Sequence, residues 1–113
     1  MRVTENYTDS PPTREEINAM AGPLLLEFGS PGCGYCRAAQ SWLNDAARDA
    51  PDLQHIKVAD GRGRPLGRSF QVKLWPTFIF MKDGVEVSRL VRPDSATQIR
   101  RAMDDIVATR PGS

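Results

Sequence analysis

The chain has 113 residues, of which 40% are hydrophobic, 26% charged and 7% aromatic, as in one ordinary folded domain. Fifteen Lys and Arg residues against fourteen Asp and Glu residues give a net charge of +1, with no basic stripe that could follow a phosphate backbone. No apolar run approaches the roughly 20 residues that cross a bilayer. We therefore expect one domain over residues 1–113, with neither a nucleic-acid nor a membrane partner.

The N-terminal segment, residues 1–12, is polar and has no basic start, apolar centre or small-residue cleavage site of the kind that secretory signals carry. For the chain as given, this predicts a cytoplasmic protein. We expect the segment to form an extension or a first strand of the domain. Polar helix faces favour a monomer.

The first predicted helix begins after Thr13, because Thr13 and Glu16 have the spacing of a capping box. It is expected to run to about Met20, where Gly22 and Pro23 end it.

A strand and the longest helix follow. Residues 24–28 form a nearly continuous apolar run, which is typical of a central strand covered on both faces. Apolar residues at helical spacing then predict the longest helix over residues 33–49, ended by Pro51. A second strand is expected over residues 53–58 and a short helix over residues 66–70.

The next segment is predicted to be a β-hairpin. A third strand over residues 77–81 precedes the Lys-Asp-Gly turn at residues 82–84. Residues 85–87 should form its antiparallel partner, with side chains alternating outward and inward.

The last predicted element is a helix. Ser95 and Gln98 have a second capping-box spacing, and an apolar stripe at helical spacing covers residues 99–107. Residues 110–113 are expected to fray. The alternation of strands and helices along the whole chain predicts one layered α/β domain.

The chain has two cysteines, Cys33 and Cys36, within the sequence Cys-Gly-Tyr-Cys. Cys33 falls at the start of the longest helix, where unpaired backbone N–H groups and the positive end of the helix dipole stabilise negative charge. Cys36 lies one turn further on, close enough to attack Cys33 once that sulfur is bound to a substrate sulfur. The motif therefore predicts thiol–disulfide exchange.

Two other interpretations of the cysteines are weaker. A static disulfide would close a very small loop and so restrict the unfolded chain little. A zinc site needs four ligands, and the only histidine, His55, lies far along the sequence in a predicted strand. A metal site would therefore need a second subunit that supplies further cysteines.

Four segments resemble the thioredoxin family in their order and approximate spacing. They are Leu24–Phe28, the Cys-Gly-Tyr-Cys motif followed by Arg37, Trp75–Phe80 and the turn at residues 82–84. The resemblance covers most of residues 22–108. It implies a thioredoxin fold of the α/β class, a central mixed β-sheet flanked by helices on both faces, with the dithiol at the N-terminal end of the second helix.

The resemblance also implies roles for individual residues. Cys33 is expected to be the exposed nucleophile and Cys36 the buried resolving thiol. Pro76 resembles the cis-proline that lies against the dithiol, and Trp75 would present its backbone N–H and C=O to a substrate strand. The implied substrate-binding residues are Gly32, Gly34, Tyr35, Trp75 and Pro76.

Glu27 stands six residues before Cys33, where the family usually keeps a buried acid, and the resemblance implies that it accepts the proton of the resolving thiol. A register that turns Glu27 to solvent is the alternative. Lys57 lies one place away from the family's spacing for a cationic partner of this acid. We expect Lys57 to be a solvated surface lysine.

The chain also departs from the family. Gly29 and Gly32 stand where thioredoxins typically carry tryptophans, and Arg92 replaces a glycine near the partner-binding surface. Trp75 and Tyr35 are then the large rings available to contact a partner. These departures leave the chemistry in place and change the surface that a partner meets.

The leading hypothesis is a cytoplasmic oxidoreductase that reduces protein disulfides without a bound cofactor or metal and is recharged by a partner such as a flavoprotein thioredoxin reductase. The motif also occurs in periplasmic disulfide isomerases, which usually place threonine where this chain has Trp75. Glutaredoxins usually have a proline at the position of Gly34. An oxidase, or a binding module dedicated to one partner, are further alternatives.

Overall fold

A computed structural model describes residues 1–107 of the chain. Four strands lie at its centre: β1 (Pro23–Gly29), β2 (Gln54–Ala59), β3 (Thr77–Lys82) and β4 (Val85–Val91). They form one sheet in the order β2-β1-β3-β4, in which β1 runs parallel to β2 and antiparallel to β3, and β3 runs antiparallel to β4. The predicted mixed sheet is confirmed.

Helices cover both faces of the sheet, as predicted. They are α1 (Arg14–Asn18), α2 (Gly34–Ala47), α3 (Pro65–Ser69) and α4 (Ala96–Val107). Alternate residues of β1 face opposite sides, so Leu25 packs with residues of α2 and α4, whereas Leu24 and Leu26 pack with residues of α1 and α3. No helix within residues 1–107 has both the length and the apolar character needed to cross a membrane.

The predicted capping box of α1 is confirmed. Thr13 Oγ1 accepts the Glu16 N–H at 3.1 Å, and Glu16 Oε1 accepts the Thr13 N–H at 2.9 Å. The helix ends at Asn18, slightly before the expected Met20.

The predicted end of α2 is wrong. The helix ends at Ala47, two residues before the predicted end at residue 49, because the Arg48 N–H bonds to the Asp45 carbonyl and the Ala50 N–H to the Ala47 carbonyl. These bonds to the third residue back tighten the chain into turns before the proline is reached. The second strand and the third helix lie within one residue of their predicted bounds.

The hairpin is longer and less regular than predicted. The β3 to β4 register shifts between Phe80 and Met81, and such a bulge disturbs the alternation of side chains. Val85 and Val87 are therefore 63% and 49% exposed on the edge strand, so the predicted inward side is wrong there.

Residues at the two ends of the described chain also differ from the prediction. The expected first strand is a single parallel bridge, in which the Thr8 N–H donates to the Lys57 carbonyl at 2.8 Å. Before α4, Ser95 Oγ accepts the Gln98 N–H, but the Gln98 side chain accepts from Asp94 instead of Ser95. The fraying expected for residues 110–113 lies outside the described residues.

The sheet positions the cysteine motif. β1 ends at Gly29, and the chain then leads through residues 30–32 to Cys33 at the start of α2. Phe28 pairs with Thr77, so Pro76 lies at the same end of the sheet as Gly29. The motif and the proline segment are thereby brought together.

Candidate active site

Cys33 forms the N-cap of α2. Its Sγ accepts the Cys36 backbone N–H at 3.1 Å, the hydrogen bond that an N-cap oxygen usually accepts. Both cysteines are free thiols, with Cys33 half-buried and Cys36 only 1% exposed. Of the two sulfurs, Cys33 is therefore the one that a visiting disulfide can reach.

Cys36 is shielded from solvent at the base of the motif. Burial, followed by hydrogen bonding to Cys33, raises the pKa of Cys36 to about 11. Hydrogen bonds from the Ser30 backbone and the Tyr7 side chain act in the opposite direction and lower it. Cys36 is consequently a protonated thiol at neutral pH.

Tyr7 reaches the buried thiol over a glycine. A Cβ atom on Gly29 would lie 2.7 Å from Cys36 Sγ and 2.9 Å from Tyr7 Oη, so any larger residue would push into both groups. Burial and the nearby charges of Cys36 and Glu27 raise the pKa of Tyr7 far above its usual range, which keeps its hydroxyl a donor. Gly29, which departs from the family, therefore leaves room for both the Tyr7 phenol and the Cys36 thiol.

Glu27 is fully buried, so the alternative that turned it to solvent is wrong. Its Oε1 lies 2.9 Å from His55 Nε2, and its Oε2 accepts from Gln40 Nε2 at 3.0 Å. His55 Nδ1 accepts the Thr4 N–H, which leaves the ring proton on Nε2 to be donated to Glu27. Both carboxylate oxygens are thus held by donors.

The prediction for Lys57 is wrong. Lys57 is only 5% exposed, and its Nζ donates to the Glu5 carbonyl at 3.0 Å and to Gln40 Oε1 at 3.1 Å. The ammonium also lies 4.5 Å from the centre of the Tyr7 ring. The N-terminal segment covers Lys57, so it is linked to Glu27 through Gln40 and does not face solvent.

Trp75 and Pro76 form the other wall of the site. The peptide bond between them is cis, as the resemblance implies. The Trp75 indole N–H donates to Asp60 Oδ2 at 2.9 Å, and the Trp75 carbonyl accepts from Arg92 Nε at 2.8 Å. The ring is therefore fixed towards Asp60 while the backbone carbonyl faces Arg92.

The residues between and before the cysteines are open to solvent. Tyr35 is 61% exposed, with the Arg92 guanidinium carbon 4.0 Å from its ring centre. Gly32 and Gly34 are exposed, and a Cβ on Gly32 would meet no atom within 4 Å. Gly32, Gly34 and Tyr35 thus flank Cys33 on an accessible face, whereas Pro76 is buried.

The site has no ready set of metal ligands. Across residues 1–107, no group of three or more His, Cys, Asp or Glu side chains could hold a metal ion. The single histidine uses both ring nitrogens in hydrogen bonds to Glu27 and Thr4.

Tyr7, Gln40 and His55 belong to this site but are not predicted from the sequence. His55 could have been found from the sequence, because a polar residue within an apolar strand needs a hydrogen-bond partner when the strand is buried. Gln40 and Tyr7 could not, since a glutamine on a polar helix face and a tyrosine in an N-terminal extension are ordinary features.

Comparison with known proteins agrees with this geometry. The thioredoxin family model matches residues 6–105. The thioredoxin of Mycobacterium tuberculosis is 33% identical over 86 residues, which cover 75% of this chain and 74% of that protein. The reduced structure of thioredoxin 2 from Pseudomonas aeruginosa is 50% identical, covers 92% of this chain and 96% of that one, and superposes with a TM-score of 0.82.

The fold and the paired thiols define a thiol–disulfide oxidoreductase. With the family model covering most of its length, the chain belongs to the thioredoxin family.

Proposed function

We propose that the protein reduces protein disulfides, with Cys33 as the nucleophile and Cys36 as the resolving thiol. The proposal rests on the different exposure of the two cysteines at the start of α2. Cys33 is half-buried and can be reached by a substrate disulfide, whereas Cys36 is only 1% exposed. Such a dithiol acts as a reductant where the surroundings keep it reduced, and we therefore propose the cytoplasm as its compartment.

The reaction proceeds by two exchanges. The Cys33 thiolate attacks one sulfur of the substrate disulfide, the substrate S–S bond breaks, and the departing sulfur takes a proton. The Cys36 thiol then gives up its proton and attacks Cys33 Sγ, which releases the second substrate thiol. The protein ends with a Cys33–Cys36 disulfide, and the substrate has gained two electrons and two protons.

The surrounding residues support each step. Glu27 is the proposed acceptor of the Cys36 proton, and Trp75 offers its backbone to an extended substrate segment beside Pro76. Gly32, Gly34 and Tyr35 contact the substrate around Cys33. The dithiol needs no bound cofactor, and a flavoprotein reductase is the partner proposed to return the electrons, with the protein acting as a monomer.

Insulin reduction driven by dithiothreitol tests the proposal. Replacing the nucleophile, Cys33→Ser, is expected to bring the rate down to that of dithiothreitol without protein, because the exchange loses its first step. The matched variant Cys36→Ser retains the attack and loses the release, so it should accumulate mixed disulfides on a non-reducing gel. Full activity of Cys33→Ser would refute the mechanism, and an absence of trapped species in Cys36→Ser would refute the division of roles.

A further inference from the structure

The Arg92 side chain lies across the face that a substrate would approach. Its Nε donates to the Trp75 carbonyl at 2.8 Å, and its guanidinium carbon lies 4.0 Å from the centre of the exposed Tyr35 ring. One cation therefore occupies the backbone acceptor before Pro76 and covers a ring within the cysteine motif.

The backbone of Arg92 is fixed in this position. Its N–H donates to the Pro76 carbonyl at 2.9 Å, directly after the end of β4. Its φ of 51° lies in the left-handed region that favours glycine, so a non-glycine residue here is conformationally costly. The backbone therefore holds the Cα of Arg92 next to Pro76, and the side chain extends from there.

The surroundings of Arg92 combine apolar area with positive charge. Tyr35 and Leu74 are 61% and 47% exposed, and the exposed Arg37 and Lys73 lie beside them in the chain. Among residues 1–107, no carboxylate forms an ion pair with Arg92, and the Asp60 carboxylate accepts the Trp75 indole N–H. Arg92 is therefore free to exchange its carbonyl contact for a ligand that brings a negative charge.

A substrate segment that hydrogen-bonds to the Trp75 carbonyl competes with Arg92 Nε for that acceptor. The displaced guanidinium is a planar fork that matches a carboxylate with two hydrogen bonds. A neutral segment would lose the contact without replacing it, and a basic segment would add repulsion.

Building on the proposed function, we propose that Arg92 selects protein disulfides that carry an acidic residue beside the reacting cysteine. Arg92 donates to the Trp75 carbonyl in the free protein and pairs with the substrate carboxylate in the complex. The substrate class is thus a disulfide within an acidic segment.

Three disulfide peptides of equal length, with Asp, Ser or Lys flanking the cysteine, test this proposal in single-turnover reduction by the dithiol form of the full chain. We expect the Asp peptide to react faster than the Ser peptide by about 1.5- to 5-fold, the range of an exposed ion pair, and the Lys peptide to react most slowly. The difference should shrink in 0.5 M salt. Arg92→Ala should remove the preference and reduce the Ser peptide at least as fast as the unmodified protein does.

The matched control is Arg48→Ala, which removes the same charge at the far end of α2, about 20 Å from Cys33. It should keep the full preference. Equal rates for the three peptides, or a preference that survives Arg92→Ala, would overturn the role of Arg92 while leaving disulfide reduction intact. If none of the three peptides is reduced, the result refutes both the proposed disulfide reduction and the proposed substrate class.

Discussion

We expect Tyr7 to affect the proposed second exchange, because hydrogen bonding from its side chain favours the thiolate form of Cys36. This hydrogen bond lowers the pKa of Cys36, against burial, which raises it to about 11. Tyr7→Phe removes the donor while preserving the ring next to Lys57. We expect the pKa of Cys36 to rise further and the release of substrate from the mixed disulfide to slow by about ten-fold, as for the loss of one hydrogen bond to a charged group.

The measurement is the pH dependence of Cys36 alkylation in a Cys33→Ser background, together with the single-turnover rate of mixed-disulfide release. Ser41→Ala is the control, since it removes an exposed hydroxyl of α2 that bonds to the Ala38 carbonyl, and it should leave both readings unchanged. An alkylation midpoint that stays in place in Tyr7→Phe would show that the phenol only fills space above Gly29.

At the scale of elements, the turn between β3 and β4 depends on its glycine. Asp83 and Gly84 have φ values of 51° and 79°, the positive pair that a tight two-residue hairpin turn requires. A Cβ on Gly84 would also collide with the Asn18 carbonyl at the end of α1. The turn is therefore fixed both by its own conformation and by the helix packed beneath it.

Gly63 separates these two causes, because its φ is also 79° but a Cβ there would meet no atom within 4 Å. Gly63→Ala should cost about 1–2 kcal/mol in free energy of unfolding, the strain of a left-handed residue. Gly84→Ala should cost about 1–3 kcal/mol more, the cost of overpacking. Urea unfolding measures both, and equal losses would rule out a contribution from Asn18.

What the sequence predicts well is what depends on neighbours in the chain. The capping box at Thr13 and Glu16, the turn before Val85 and the cysteine pair at a helix start all follow from local spacing. The predicted end of α2 is two residues too late. Hydrogen bonds to the third residue back end the helix before Pro51, and residue spacing does not reveal such bonds.

The buried part of the site was beyond such prediction. Lys57 is covered by Glu5 and Tyr7 from the N-terminal segment and by Gln40 from α2, all far away along the sequence. A lysine with no partner nearby in sequence is normally at the surface, so the expectation failed where tertiary contacts decide. The burial of Glu27 is predicted correctly, because the family resemblance supplies the register that the sequence pattern leaves open.

At the scale of the whole molecule, the shielded thiol makes stability depend on pH. In the unfolded chain a cysteine loses its proton near pH 8.5, whereas burial raises the pKa of Cys36 in the folded chain to about 11. Between these values the folded state binds more protons than the unfolded state, so the free energy of unfolding falls as the pH rises. Because the pKa of Tyr7 is also raised, the free energy of unfolding falls further above about pH 10, the usual pKa of a phenol.

We therefore expect the reduced protein, kept in excess phosphine reductant, to be most stable below pH 8.5 with respect to these groups and to lose stability progressively to pH 11. Urea unfolding at constant ionic strength measures the loss. Cys36→Ala provides the comparison, since it lacks the thiol and retains Tyr7, and its stability should hold until about pH 10 before it declines. Parallel curves for the two proteins between pH 8.5 and pH 10 would mean that Cys36 is not held in its protonated form by the fold.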